Sequence, residues 1–295
     1  MYHYRGLLLV LFMKTQQKLK QQFSCEFFPP KTEKGMQNLF NTAEIFKQEI
    51  NPEFFSVTFG AGGSTRETTF NAVTKIQQST GCDVAPHLSC IGSSKQQLKD
   101  ILDDYKQQDI NRIVTLRGDM PSGTISQSDF NYANELISFI RENYENQFHL
   151  EVAAYPEVHP QADNANKDLL NFVNKVNAGA DSAITQYFYN IDSYFYFIDS
   201  CEKAGIDIPI VPGIMPITNF SNLARFSNMC GAEIPQWLRK KLESYADDVD
   251  AIKDFGAEFV SDMCNKLLDM GAPGLHFYSM NQSEATLRIW NNIKR

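Results

Sequence analysis

Several signatures of common protein classes are missing from this chain of 295 residues. Its six cysteines form no CxxC pair, so the sequence indicates neither a zinc ribbon nor a disulfide framework. Basic residues are in deficit, with 27 Lys and Arg against 35 Asp and Glu, which argues against nucleic-acid and anionic-membrane partners. These absences predict a cytoplasmic protein with reduced thiols and small-molecule partners.

Motifs of several enzyme classes are absent as well. There is no HEXXH or HxH pair, so no metal site is predicted, and neither GxSxG nor a Walker loop occurs. The nearest approach to a dinucleotide-binding fingerprint, GAGGST at 60–65, has the wrong spacing. None of the strand-like runs given below contains Lys, so a strand-borne Schiff base has no obvious nucleophile.

An apolar run near the start of the chain, GLLLVLFM at 6–13, is too short to span a bilayer and is followed by no cleavage site. We therefore expect residues 1–22 to be an extension that includes a first helix, with no membrane anchor. Met13 could be an alternative start, or the run could form a docking helix.

The sequence does contain a regular alternation of strand-like and helix-like segments. Amphipathic helical patterns predict buried faces formed by Leu98, Ile101, Leu102 and Tyr105, by Leu39, Ala43 and Phe46 in 35–50, and by Leu169, Val173 and Val176 in 168–177. Between the helices lie eight runs rich in β-formers: FSCEFFP, FFSVTFG, VAPHLSC, RIVTLRG, HLEVAAY, SAITQYF, IPIVPGI and GLHFYSM.

This alternation predicts parallel strands joined by right-handed crossovers, in an open doubly wound sheet or a closed barrel. Because the first βα turn lacks a glycine fingerprint, we favour a single (β/α)8 TIM barrel over residues 23–295. The long gap before the eighth run contains EIPQWLRKKLESYADDVDAI and predicts an extra helical element before the last βα unit.

In barrel enzymes the reactive groups lie at the carboxyl ends of the strands and in the loops that follow. One polar residue at a strand end is explained equally well by the ordinary change to polar residues where a strand passes into a loop. Polar residues at the ends of many strands indicate a site. The polar residues at these positions are Glu26, Thr58, His87, Arg117, Asp119, Tyr155, Glu157, His159, Gln186, Tyr278 and Asn281.

Glu26 is the most informative of them, because it is a carboxyl group flanked by Phe27, Phe28 and two prolines. Burial would raise its pKa and suit it to general acid catalysis, whereas pairing with an Arg on a neighbouring strand is an equal alternative. His87 is either a site residue or a core histidine bonded to a backbone carbonyl. The helix face formed by Asp168, Asn171 and Lys175 is, by default, solvated surface.

Nine motifs resemble, in order and spacing, those of the methylenetetrahydrofolate reductase family of flavin-dependent (β/α)8 enzymes. AAYPEVHP and ITQYFY are the specific signals, and the resemblance extends over nearly all of the chain after residue 23. The chain resembles the short bacterial form of the family, which is usually a homo-oligomer. The motifs are SCEFFPPKT, FFSVTFGAGGSTRETT, APHLSC, LRGD, AAYPEVHP, DLLNFVNKVNAGAD, AITQYFYN, PGIMPITNF and LHFYSMN.

The resemblance implies that FAD, reduced by NADH or NADPH, passes a hydride to 5,10-methylenetetrahydrofolate in a ping-pong reaction that feeds methionine synthesis. It implies that Glu26 protonates the leaving nitrogen and that Asp119 lies beside both flavin and pterin. Gln186 matches an amide that contacts folate and nicotinamide in turn, and Phe226 matches an aromatic residue that stacks on nicotinamide.

Three residues depart from the pattern of the family: Phe59 where Tyr is common, Asn222 where Gln is common, and Gln282 where Arg is common. An amide cannot replace a guanidinium against a carboxylate, so the contacts to the folate tail are altered. Another flavin barrel, such as a proline dehydrogenase-like enzyme, and a non-catalytic barrel that binds folate or flavin are the alternatives. The flavin contacts that the resemblance implies are Thr58, Phe59, Ala61, His87, Arg117, Gly118, Asp119, Ala133, Tyr155, His159, Ala162, Asp168, Asn171, Asn174 and Lys175.

Overall fold

The structure is a computed structural model that describes residues 13–59, 64–119 and 128–294. The apolar run before Met13, the predicted flavin contact Ala61 and most of the GAGGST segment lie outside these residues. No helix in the described ranges is long and apolar enough to cross a membrane.

Strands and helices alternate along the described chain. The strands are β1 Gln22–Phe27, β2 Phe54–Val57, β3 Asp83–Ser89, β4 Arg112–Leu116, β5 His149–Ala154, β6 Ser182–Thr185, β7 Ile210–Val211, β8 Gly213–Ile214 and β9 Gly274–Tyr278. The helices are α1 Glu33–Glu49, α2 Ser64–Thr80, α3 Lys95–Gln107, α4 Ala133–Tyr144, α5 Ala165–Asn177, α6 Ile191–Lys203, α7 Phe220–Cys230, α8 Gln236–Glu243, α9 Val249–Asp269 and α10 Ser283–Asn292.

All eight predicted runs form strands, and the seventh run is split into β7 and β8. The break falls at Pro212, which lacks the N–H that a continuous strand would donate to the sheet. The predicted extra helical element is confirmed as α8, which stands between α7 and α9. The fold is that of a (β/α)8 TIM barrel, as the alternation predicts.

The described residues cluster into two compact units. The first unit comprises residues 23–153 and 174–183, and in it strands β1 to β5 pair in sequence order, all parallel. The second unit comprises residues 13–22, 154–173 and 184–294, and in it β8 pairs with β9 in parallel. The single catalytic domain over 23–295 stays a prediction.

Residues 13–22 are packed within the second unit. They contain a short 3-10 helix, Gln16–Lys18, so the first helix predicted here is a single turn. The side chain of Gln16 is 1% exposed, donates to the Ile208 carbonyl at 2.9 Å and accepts from the Ile210 N–H at 2.9 Å. This segment therefore supplies the hydrogen bonds that the irregular chain before β7 needs.

The helix faces follow the predicted periodicity with one exception. The predicted faces of α1 and α3 are buried, and the capping box of Ser94 and Gln97 begins α3. In α5 the prediction is wrong, because Leu169, Val173 and Val176 are only half-buried. The buried residue of α5 is Phe172, whose ring lies 5.3 Å from that of Phe197 on α6.

Candidate active site

Three polar side chains on neighbouring strands meet in the first unit. Glu26 on β1 lies opposite Ser56 on β2 in the parallel register, and His87 lies on β3. The Glu26 Oε2 atom is 3.1 Å from His87 Nε2, and Ser56 Oγ donates to the same carboxylate oxygen at 3.4 Å. The Glu26 side chain is 17% exposed, so water reaches the pair only in part.

The observed partner of Glu26 differs from the one that the sequence suggests. The strand pattern allows an acid in an apolar setting or an ion pair with Arg, whereas the structure places His87 against the carboxylate. His87 Nε2 makes no hydrogen bond within the described residues, so the two groups are neighbours at ion-pair distance. A carboxyl group held at a strand end in this way can act as a general acid toward a ligand.

The turn after β4 carries Arg117, Gly118 and Asp119. Gly118 has φ +84, a left-handed conformation that favours glycine, and a Cβ there would lie 2.9 Å from that of Ser89. Glycine is thus required by the packing of the turn against β3, a reason that the sequence does not reveal. Arg117 Nε donates to the Gly118 carbonyl at 3.1 Å, and Asp119 is exposed.

Three other predicted contacts of the first unit lie near strand and helix ends. Thr58 and Phe59 follow β2 and are half-buried, and Thr69 Oγ1 donates to the Thr58 carbonyl at 3.4 Å. Ala133 is the first residue of α4. Asn174 and Lys175, on the last turns of α5, also belong to this unit, and Lys175 Nζ donates to the Ala153 carbonyl.

In the second unit, the loop after β5 brings Tyr155, His159 and Asp168 together. The rings of Tyr155 and His159 are 4.5 Å apart and nearly perpendicular, and Asp168 Oδ2 accepts from the His159 N–H at 2.9 Å. Ala162 donates its N–H to the His159 carbonyl at 2.9 Å, and Asn171 is exposed on α5. The Asp168 carboxylate therefore fixes the loop that carries the two rings.

Glu157, in the same loop, has a structural role. Its Oε2 accepts from the Glu233 N–H at 2.7 Å, and burial raises the pKa of its carboxyl group above the ordinary value.

Gln186, just after β6, has an orientation that its backbone neighbours fix. Its Oε1 accepts from the Tyr187 N–H at 3.0 Å, which leaves the side-chain NH₂ as the donor group. Tyr187 is buried, and its hydroxyl lies 3.1 Å from Ser227 Oγ and 3.4 Å from Cys230 Sγ on α7. The sequence analysis missed this cluster, although Ser227 and Cys230 share one face of α7 at a spacing of three residues.

The remaining predicted substrate contacts lie on helices after β8 and β9. Phe226 is half-buried on α7, with the Arg225 guanidinium 5.1 Å from the centre of its ring. Asn222 is exposed in the first turn of α7, and Gln282 is exposed at the N-cap of α10, where its side chain makes no capping bond.

Metal-ligating side chains do not cluster in the described part of the chain. All six cysteines are free thiols.

Comparison with known proteins decides the family. The methylenetetrahydrofolate reductase family model matches residues 11–294. The 5,10-methylenetetrahydrofolate reductase of Escherichia coli is 40% identical over 270 residues, covering 92% of this chain and 90% of the relative. That of Buchnera aphidicola from Acyrthosiphon pisum is 42% identical over 271 residues, covering 91% and 90%. The chain belongs to the methylenetetrahydrofolate reductase family.

Other members are longer. The Arabidopsis thaliana methylenetetrahydrofolate reductase (NADH) 1 is 36% identical over 284 residues, which cover 92% of this chain but 48% of the relative. Among solved structures, an uncharacterized Clostridium thermocellum protein, described as binding two copies of 5-methyl-5,6,7,8-tetrahydrofolic acid, has a TM-score of 0.61 and 13% identity, covering 95% of this chain and 96% of that chain. This likeness concerns the fold alone: both chains form the same barrel.

Proposed function

We propose that the protein reduces 5,10-methylenetetrahydrofolate to 5-methyltetrahydrofolate with NADH or NADPH, using bound FAD in a ping-pong reaction that feeds methionine synthesis. Family membership supports the folate reaction. The position of Glu26 is the observation that supports its chemistry, because its carboxyl group lies at the carboxyl end of β1, where barrel enzymes carry reactive groups, with Ser56 and His87 beside it. We further propose a cytoplasmic homo-oligomer.

The residues present suit a flavin. Tyr155 and His159 offer aromatic surfaces in the second unit, and Lys175 offers a cation on the end of α5. Bound FAD would supply the carrier that accepts a hydride from the nicotinamide and returns it to the folate. The other proposed contacts are those that the family resemblance implies.

Glu26 is the proposed general acid. Opening the five-membered ring of the folate requires a proton on the nitrogen that leaves the methylene carbon, and it produces a cationic iminium that accepts the hydride. His87 and Ser56 fix the Glu26 carboxyl group at its Oε2 atom. This arrangement keeps the acid oriented while the substrates exchange.

Asp119 and Gln186 have different proposed roles. Asp119 is exposed, and its negative charge would stabilise the cationic iminium and oppose the addition of electrons to the flavin. Gln186 presents its NH₂ group as a donor, which suits the carbonyl of a nicotinamide carboxamide and the carbonyl of a pterin equally. The same side chain can therefore orient both substrates in turn.

The visible spectrum of the purified protein tests the proposal most directly. A yellow protein that bleaches anaerobically with NADH or NADPH, and regains its colour with methylenetetrahydrofolate, supports it. Bleaching followed by reoxidation with menadione alone, but not with folate, favours another flavin dehydrogenase such as a proline dehydrogenase-like enzyme. A protein that binds folate or flavin without bleaching is a non-catalytic barrel.

A further inference from the structure

A small cavity of about 50 Å³ lies within the second unit, between α9, α10 and the chain that follows β8. Its lining includes Pro216 to Thr218 after β8, Lys253 on α9, and Gln282 and Arg288 on α10. A volume of this size is large enough for a group as small as one carboxylate.

The wall of the cavity that carries Lys253 is built by a close approach of two backbones. A Cβ at Gly256 would lie 2.4 Å from the Ile217 carbonyl oxygen, so only glycine allows α9 to pack against the chain after β8 at this point. Lys253 stands one helical turn before Gly256. The ammonium-bearing side chain is thereby held beside Pro216 and Ile217.

Two cationic side chains, Lys253 and Arg288, line this cavity. Lys253 is half-buried, and no carboxylate pairs with it in the described part of the chain. Arg288 is held by Asp254, with Arg288 Nη2 2.5 Å from Asp254 Oδ1. The amino terminus of α10 also faces solvent without a side-chain cap, and its N–H groups favour a negative group.

One lining residue opposes an anion. Glu284 lies in the first turn of α10 and is exposed, so its charge is screened by water. Asp254, also exposed, neutralises part of the Arg288 charge. The half-buried Lys253 is left as the strongest attraction for an anion, because no carboxylate among the described residues forms an ion pair with it, whereas Asp254 pairs with Arg288.

We propose that this cavity binds a carboxylate of the glutamate tail of the folate substrate, with Lys253 as its main cation and Arg288 as a second. The inference rests on the proposed function. It assigns to α9 and the second turn of α10 the recognition that Gln282, an uncharged side chain, cannot provide. The 2′-phosphate of NADPH is an alternative source of an anion, and the experiment separates the two.

The test compares the FAD-loaded protein with its Lys253→Met variant. We expect the KM for methylenetetrahydrofolate to rise about ten- to hundredfold, the loss typical of one charged hydrogen bond, with kcat little changed. A pteroate substrate, which lacks the glutamate, should have the same KM with both proteins. Lys266→Met removes an exposed lysine from the far end of α9 and should change neither value.

Binding measurements keep the result independent of turnover. Equilibrium dialysis with 5-methyltetrahydrofolate and 5-methyltetrahydropteroate should show that the glutamate adds affinity in the native protein and not in Lys253→Met. Lys253→Gln, which retains a polar chain, should reproduce this loss if it is due to charge. Arg288→Met should have a smaller effect, because Asp254 already shares that charge.

The possible contrary results are distinct. A variant whose folate affinity is unchanged overturns the site and leaves the proposed reaction standing. A raised KM for NADPH, with NADH and folate unaffected, assigns the cavity to the phosphate and overturns the folate contact. Glutamate-dependent binding that Lys253→Met abolishes, in a protein that turns over no folate, supports the site and contradicts the proposed reaction.

Discussion

The Oε2 atom of Glu26 lies 3.1 Å from Nε2 of His87, although the two residues stand on β1 and β3 with β2 between them. Ser56 on β2 donates to the same oxygen and so bridges the gap. The Glu26 carboxyl group therefore has a polar neighbour on each of the next two strands. We expect substitutions of Glu26 and of His87 to affect the same step of the reaction.

Glu26→Gln should retain FAD and its reduction by NADH but lose folate reduction, because only the second half-reaction needs a proton on the leaving nitrogen. We expect a decrease of about 10²- to 10⁴-fold in that step, the usual contribution of a general acid. Stopped-flow measurement of each half-reaction provides the test. Glu44→Gln, which changes an exposed residue of α1, is the matched control, and unimpaired folate reduction by Glu26→Gln would contradict the assignment.

His87→Ala should slow folate reduction, because it removes the ring that lies 3.1 Å from the Glu26 carboxylate and so loosens the orientation of the proposed acid. We expect a smaller loss than in Glu26→Gln, which removes the acid itself. Stopped-flow measurement of the folate half-reaction, expressed per bound flavin, provides the test. Folate reduction at the native rate in His87→Ala would show that His87 does not position Glu26.

The sequence predicted the elements well because their signals are local. Alternating apolar residues and capping groups act over a few positions, and they located all eight runs and the faces of α1 and α3. The contact between Glu26 and His87 depends on the register of three strands, which local patterns do not contain. The error in α5 has a similar origin, since Phe172 is buried by the ring of Phe197 and not by the periodicity of its own helix.

Asp119→Asn should raise the reduction potential of the flavin, since a negative charge nearby opposes the addition of electrons. Asp119 is exposed, so water weakens the effect, and we expect a shift on the order of 30 mV. Spectroelectrochemical titration measures it. Asp129→Asn, which changes another exposed carboxylate, near the start of α4, serves as the control. An unchanged potential in Asp119→Asn would place that residue away from the flavin ring.

Glu151 should make stability depend on acid pH. It is 2% exposed, and although burial alone would raise its pKa, the hydrogen bond from His149 and the charge of Arg112 lower the pKa to about 2. Because this pKa is below the value of about 4.3 in an unfolded chain, the pair stabilises the fold above pH 4.3, and that contribution is lost as the pH falls through about 2.

Glu151→Gln should therefore lower the free energy of unfolding by roughly 3 kcal/mol at neutral pH, because the side chain that contacts Arg112 at 2.5 Å loses its negative charge. Denaturant unfolding at several pH values measures the difference between the two proteins. This difference in the free energy of unfolding should narrow below pH 4.3. A difference that is constant down to pH 2 would show that the lost stability comes from packing alone.

The orientation of Gln186 leads to a kinetic prediction. Its Oε1 atom is occupied by the Tyr187 N–H, so its NH₂ group is the part that reaches a ligand. If this donor serves nicotinamide and folate in turn, the two substrates cannot be bound together, and the first product must leave before the second substrate binds.

Steady-state kinetics with NADH and folate varied together should then give parallel double-reciprocal lines, as expected of a ping-pong reaction. Gln186→Ala should weaken both half-reactions, because one donor orients both substrates. Phe226→Ala is the discriminating control: a ring that stacks on nicotinamide should raise the KM for NADH more than the KM for folate when it is removed. Intersecting lines, or a Gln186→Ala variant impaired toward one substrate alone, would mean that nicotinamide and folate bind at separate places, because a shared donor cannot be lost to only one of them.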